Sequence, residues 1–586
     1  MKKENKAETK TRKVIDFLKK HKKAFLVVFF LLIALRLWLF LTMNWYVNMD
    51  TYYDSRLEVN SSIDVATLQW GGAYSKVTLC KGLAFPMFLA VLFLFRIPYS
   101  VGLFLLIVLA AFAFSRSLKP LIKSSALRKI IFLFILYNPV GLGGEMSYPY
   151  RNAVLPWAVL IVVACIIAIY LRRKAKCKKL LPWAFTGLFF AGFFWNLRED
   201  SIWFLPFMLV GAIAMVVHYL IDIKKNKEKI KWKQKLCFAL IAICPLIGVW
   251  VWNTGISLVN KVVYGVYTTE DRTHTYSAKV LGALIRIDDG ADLENDYWVS
   301  GGALELAKEA SPTFASLDLT SFDNWSKVGD FSIWALRDSV EASGYYKDAV
   351  TTNELYKKIY DELEEGFKNG TLKRKNGIQL SDTSGLYSMN EVMKPFSMIF
   401  KSLINHITYD EYEVKLEEVK NVKNEGDIIL YEKGLGIDLL RSDEEMAKMG
   451  ADGSAKQVNI AQRILLKANK VISNVIIKIY NVMSWILFVA AVAGFIVKMV
   501  VIFKNKDYKN YNIEIIILMT GVMMTILFYS YMVGLWGLGY DLTPDSSLFK
   551  SYTTPQTILV SVFEVLGMIA LVTSLTKIKH GRRKKK

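Results

Sequence analysis

Along the chain, long apolar runs alternate with short basic clusters, and the runs have the length of a bilayer crossing rather than the three-to-four-residue period of an amphipathic helix. At the roughly 17 to 25 residues that one crossing needs, the pattern predicts ten spans: 24–43, 99–115, 128–142, 153–171, 181–197, 201–221, 236–258, 473–503, 512–534 and 555–576. One further run, Gly82 to Phe95, has 14 residues and carries Pro86 in its middle. That predicts an interfacial or re-entrant segment.

The basic clusters orient these spans. Counting 82–95 as a crossing would place Arg172, Arg173, Lys174, Lys176, Lys178 and Lys179 outside, against the positive-inside rule. Ten spans put the basic segments 1–23, 116–129, 172–179, 224–235, 498–509 and 577–586 in the cytoplasm. The outside then receives 44–98, 143–152, a short link near Arg198, an insert at 259–472, and 535–554. Met1 to Lys23 is too long and too charged for a signal-peptide leader, so the first helix is expected to be retained. The insert has the length of one soluble domain. Its helical stretch Asn353 to Lys368 and strand-like pieces such as Asp427 to Tyr431 predict an α+β fold. The expected fold class is a polytopic α-helical membrane protein, with helices 1–7 over 24–258, the insert, and helices 8–10 over 473–576.

Composition agrees: 53% of the residues are hydrophobic and the mean hydropathy is +0.29, where soluble domains average about 45 to 50% apolar. An ordinary cytosolic enzyme is excluded. The net charge of +22 would suit a nucleic-acid partner if it were spread evenly, and it is not. Residues 261–470 hold 35 acidic and 26 basic side chains, and the rest of the chain holds 17 and 48. The excess belongs to the loops between spans, so no nucleic-acid partner is expected. Richness in Lys, Ile and Asn points to a bacterial plasma membrane. The five cysteines, Cys80, Cys165, Cys177, Cys237 and Cys244, form no CxxC pair and support neither a disulfide framework nor a structural zinc site. Only Cys80 is expected outside.

The signatures of P-loop ATPases, zinc proteases and serine hydrolases are absent. What remains is a set of carboxylates and arginines at the outer ends of the spans. The first follows helix one: Asp50-Thr51-Tyr52-Tyr53-Asp54-Ser55-Arg56. Asp50 is about seven residues past the apolar run, near the membrane surface, where a carboxylate serves as general base or holds a divalent ion. The second is Gly144-Glu145-Met146-Ser147-Tyr148-Pro149-Tyr150-Arg151-Asn152, and the third Arg198-Glu199-Asp200. Within the spans, Arg36 and Glu564 lie about 10 to 14 Å deep at roughly 1.5 Å per residue; equal depth permits an ion pair, with a snorkelling Arg36 or a donor-site role as the alternatives.

This arrangement resembles the GT-C superfamily, multi-spanning glycosyltransferases that take sugars from polyprenyl-phosphate carriers. Asp50, Tyr52, Tyr53 and Arg56 are similar to the D-x-[YW]-[YF]-x-x-R stretch of oligosaccharyltransferase catalytic subunits. Lys81-Gly82-Leu83-Ala84-Phe85-Pro86 is similar to the K-[GP]-P-x-[YF]-P run of protein mannosyltransferases and aminoarabinose transferases, with Leu83 in place of a proline. The resemblance covers residues 24–260 at motif level. It implies a general-base or metal-proximal Asp50, with Asp54 in reserve and Glu145 as a second outer-loop acid. No WWD-type acceptor motif is present, since Asp323-Asn324-Trp325 is not one, so transfer to peptide asparagine is not implied. Arg151 and Arg198 stand at the interface, where guanidinium groups suit a carrier phosphate, and Arg56 is a third candidate. The expected reaction is inverting transfer from a polyprenyl-phosphate sugar to a cell-envelope acceptor. A flippase of lipid-linked sugars and a non-catalytic membrane scaffold are the rival readings.

Overall fold

Within a bilayer only a helix or a closed barrel satisfies its own backbone, so uninterrupted apolar runs become helices. The computed structural model describes residues 21–49, 53–226, 231–290, 298–324, 329, 331–409, 412–421, 425–441, 459–505 and 512–583. It is 74% helical. The helices of ten residues or more are α1 (Lys22–Leu41), α2 (Ser55–Ala66), α3 (Ala84–Leu94), α4 (Tyr99–Ser117), α5 (Ser125–Leu136) and α6 (Arg151–Leu171). Next come α7 (Leu181–Trp195), α8 (Leu205–Asn226), α9 (Trp232–Tyr264), α10 (Tyr276–Ile285), α11 (Gly301–Ala310) and α12 (Phe331–Ala342). The remainder are α13 (Ala349–Asn369), α14 (Pro395–Thr408), α15 (Glu425–Leu435), α16 (Ile460–Asn505), α17 (Asn512–Gly537) and α18 (Ser547–Arg583).

Eight of these are long and apolar enough to cross a membrane: α1, α4, α6, α8 with its preceding 3-10 turn Ser201–Phe204, α9, α16, α17 and α18. This is the architecture of a polytopic helical membrane protein. The runs at 128–142 and 181–197 make shorter helices. α5 has 12 residues and α7 has 15, about 18 and 23 Å against roughly 30 Å of hydrocarbon. α5 stops because Asn138 opens a new 3-10 turn, its side chain accepting from the Val140 N–H, with Pro139 next. The 82–95 run forms the 11-residue α3, again below spanning length.

Every residue of α6 is buried, which makes it the axis of the bundle. α4, α7 and α18 pack around it, α7 lies along α9, and α16 along α18. A second hydrophobic core gathers α10 to α13 with Cys80 and the flanks of Tyr53 and Leu57. Among the described residues the insert is helical rather than α+β. Among the described residues its only named strands are the two-residue antiparallel pair Ile378–Gln379 and Leu386–Tyr387. The stretch read as strand, Asp427 to Tyr431, lies inside α15, which buries Ile428, Tyr431 and Leu435 at helical spacing. A short apolar run fits either period, and packing against α2 and α3 decides it. The helix expected at 353–368 is α13, opened by the Asp348 side chain accepting from the Thr351 N–H and closed by Gly370 at φ +85°.

Arg36 and Glu564 do not pair with each other. Arg36 donates from Nε to the Leu136 carbonyl at 2.9 Å and from Nη2 to the Gly141 carbonyl. It thereby satisfies the acceptor left at the end of α5. Glu564 accepts from the Ser484 hydroxyl instead.

All five thiols are free, and Cys80 is fully buried. A membrane-impermeant maleimide on intact cells should therefore leave Cys80 unmodified. In the orientation that the basic clusters predict, Leu68→Cys, at a position 94% exposed in the same loop, should be labelled while Cys177 is not. Labelling of Cys177 without permeabilisation would reverse the orientation.

Candidate functional site

The site forms where α2 and the loop 67–83 meet the N-terminus of α6. Asp54 and Glu58 are four residues apart, which places both carboxyls on one face at the start of α2. Lys81, from the loop, bonds Asp54 Oδ1 at 2.6 Å and Tyr150 Oη at 2.8 Å, and the Tyr150 hydroxyl donates to the same Asp54 oxygen at 3.1 Å. Arg151, the first residue of α6, donates through Nη1 to both oxygens of Glu199 at 2.9 and 3.0 Å. Arg272 Nη2 meets Glu199 Oε2 at 3.0 Å, and the Gly82 N–H reaches Oε1 at 3.0 Å. Gly82 has to be glycine here: a Cβ would sit 2.3 Å from the Asn196 carbonyl oxygen.

Glu58 is the odd member. It is buried, and among the described residues neither of its oxygens has a hydrogen-bond partner. Arg151 Nε stands 3.6 Å away, beyond a hydrogen bond, and it and the Tyr99 hydroxyl are also unpartnered. Burial pushes the Glu58 carboxyl up to about 7 against the pull of Arg151 and Lys81. Glu199 shows the opposite balance: burial raises it, but Arg151 and Arg272 outweigh that and hold it well below the usual carboxylate range. At Asp54, desolvation opposes the charge and Lys81 overcomes it, so this carboxyl too titrates below its ordinary value.

A cavity of about 220 Å³ opens beside this cluster, with Glu58, Asp64, Lys81, Trp70, Ser75 and Tyr264 on its wall. The enclosing loop is held in left-handed backbone at Leu68, Trp70 and Leu79, which side-chain-bearing residues rarely adopt. Neighbours fix it there. Trp70 Nε1 donates to Asn260 Oδ1 at 2.6 Å, and the Tyr264 hydroxyl donates to the Gly72 carbonyl at 3.0 Å. From the insert, buried Arg337 donates to the Lys76 carbonyl at 2.7 Å while pairing with Asp271 at 2.7 Å.

Of the residues chosen from sequence, Asp54 and Arg151 fall within this cluster. Arg198 forms a neighbouring one: Nε and Nη2 hold both oxygens of Asp200 at 3.0 and 2.8 Å, Nη1 reaches Asn152, and the guanidinium lies 4.0 Å over the Tyr552 ring. Both arginine forks are thus engaged by carboxylates, and neither residue is on the cavity wall. Arg56 is half-buried on the first turn of α2. Asp50 lies outside the described residues, as does the side chain of Glu145, whose backbone is in the 3-10 turn Gly144–Ser147. Among the described residues no three His, Cys, Asp or Glu side chains converge as a metal site. Glu58, Glu199, Lys81 and Arg272 were not chosen from sequence as site residues. The i,i+4 spacing of Asp54 and Glu58 was the available signal for the first. Comparison of the chain with protein-family models, with curated proteins and with solved structures finds no match.

Proposed function

We propose that the chain is a membrane glycosyltransferase that moves a sugar from a polyprenyl-phosphate carrier to a cell-envelope acceptor. The observation that carries this reading is Glu58, a residue lining a polar and aromatic cavity directly beyond the first span, whose buried carboxyl has no hydrogen-bond partner among the described residues. Trp70 and Tyr264 offer apolar faces to a sugar ring, and Asp64, Ser75 and Asn60 offer hydrogen bonds to its hydroxyls. In the reaction an acceptor hydroxyl attacks the anomeric carbon and the bond from that carbon to the phosphate oxygen breaks. Polyprenyl phosphate leaves with the electron pair, the configuration inverts, and the hydroxyl proton passes to a carboxylate. Asp50 holds that role by resemblance, with Asp54 in reserve. Glu58 joins them because a carboxyl titrating at about 7 is matched to accepting a proton near neutral pH.

Lys81 is a cation on the cavity wall and, while it holds Asp54 at 2.6 Å, meets the carrier phosphate with its remaining N–H in this reading. Arg151 acts through Glu58 and Glu199 instead. The topology it requires has ten passes, α5 and α7 crossing together with their flanking turns, both termini in the cytoplasm of a bacterial cell, and the cavity outside. Lys81→Met removes the phosphate contact. Because one charge-assisted hydrogen bond is worth roughly 1.5 to 3 kcal/mol, donor use should fall about 10-fold to 150-fold. The readout is polyprenyl phosphate released by protein in liposomes. Wild-type release from Lys81→Met would remove Lys81 from the donor site.

A further inference from the structure

α14 has its polarity inverted relative to a helix in water. Its buried positions are Pro395, Ser402, His406, Ile407 and Thr408, and its exposed ones are Ser397, Lys401 and the large apolar Phe396, Phe400 and Ile404, the last three at 52, 75 and 43% exposure. These three continue a stripe begun by Met389 and Met393, at 67 and 58%. α13, in the same insert, follows the ordinary rule, burying Tyr356, Ile359 and Leu363 and exposing Lys357 and Asp361. Polar residues turned inward and large apolar ones outward are the distribution that a hydrocarbon solvent selects.

The inward face is docked on spanning helices. Pro395 packs over Gly534 of α17, the Ser402 hydroxyl donates to Ser530 Oγ at 3.0 Å, and His406 Nδ1 stands 3.0 Å from Thr557 Oγ1 of α18. Just beyond the helix, Tyr409 meets Ser561 at 3.1 Å and Asn138 at 3.2 Å. Ser530 is seven residues from the end of α17, about 10 Å at roughly 1.5 Å per residue. With the bilayer surface at the end of α17, that depth is the level of the boundary between hydrocarbon and headgroups. The outward face also continues an apolar surface exposed on the span α17. Met524 and Phe528 of α17 are exposed at 61 and 41%, Tyr531 follows on the same face, and its ring lies 4.8 Å from Phe396.

We propose that α14, with the turn Met389–Met393, lies in the boundary layer of the bilayer, its Phe396–Phe400–Ile404 stripe in contact with acyl chains. The leaflet is the one at the end of the bundle that holds the cavity, since Tyr529 of α17, next to Ser530, bonds Asp200. Part of the insert expected to stand in water is then a membrane-lying helix. Lys394 and Lys401 flank the stripe at headgroup level, Lys401 paired with Asp545. Nothing in this inference depends on the transferase reading.

The test places a benzophenone amino acid at position 396 or 400 of the full chain and irradiates native membranes. Position 489, exposed on the span α16, serves as lipid-facing reference, and position 357 on α13 as water-facing reference. Peptides carrying 396 or 400 should gain phospholipid mass at a yield comparable with 489 and about ten-fold above 357, as for any interfacial helix. Cross-links to a second copy of the chain or to another protein, or yields at both positions no higher than at 357, would overturn the proposal.

Discussion

Glu58→Gln should lower sugar transfer by roughly 10² or more above pH 7, where a carboxylate acting as general base would be charged. The exchange keeps the shape of the side chain and removes its titration. Wild-type turnover should climb as pH rises through about 7 and level off above, following the carboxyl that burial holds there. Glu58→Gln should lack that rise. Stability should move the other way. A carboxyl raised in the folded state favours folding fully below its unfolded value of about 4.3, and that contribution is lost as pH rises through about 7. The difference between the two values corresponds to roughly 3 to 4 kcal/mol. In detergent, Glu58→Gln should therefore gain on wild type in thermal stability at pH 8 and not at pH 4. Unchanged turnover with an unchanged pH profile would return the base to Asp50 or Asp54.

Glu199→Ala should be the most damaging single change to the folded protein. Arg151 and Arg272 both rest on this carboxylate, at 2.9 and 3.0 Å, and all three are largely buried. Removing it takes the shared carboxylate from two largely buried guanidinium groups, and breaking a buried pair costs about 3 to 5 kcal/mol. The N-terminus of α6 and the Gly82 turn would also lose the group that joins them. Folded yield and melting temperature in detergent should drop sharply. Glu199→Gln should recover only part, because its amide oxygen accepts from one arginine without neutralising either. A melting temperature for Glu199→Ala within a degree or two of wild type would show that the ion triad is not what holds this end of the bundle.

The membrane architecture was legible because the bilayer imposes one length on every crossing, and eight helices reach it where the hydropathy pattern put them. Helix ends were less so. The span drawn at 128–142 shortens to α5 because the Asn138-Pro139 turn interrupts it, and hydropathy does not register a turn made of apolar neighbours. α15 was misread because Asp427 to Tyr431 is too short to show its period.

At the candidate site, Asp54 was found by its place after the first span. Glu199 was seen only as a neighbour of Arg198, since its partners Arg151 and Arg272 are 48 and 73 residues away. The pairing of Arg198 with Asp200, two residues on, was the more readable. Packing, which proximity in sequence does not register, decides which of these groups line the cavity.

The most direct measurement reconstitutes the purified protein in liposomes with a polyprenyl-phosphate sugar and an acceptor fraction from bacterial envelopes. It follows carrier phosphate release, sugar incorporation and carrier translocation together. A transferase releases one polyprenyl phosphate for each sugar transferred, does not accept nucleotide sugars, and loses both signals together in Glu58→Gln. Translocation of the intact lipid-linked sugar, with no carrier phosphate appearing in the presence of any acceptor fraction, would contradict it.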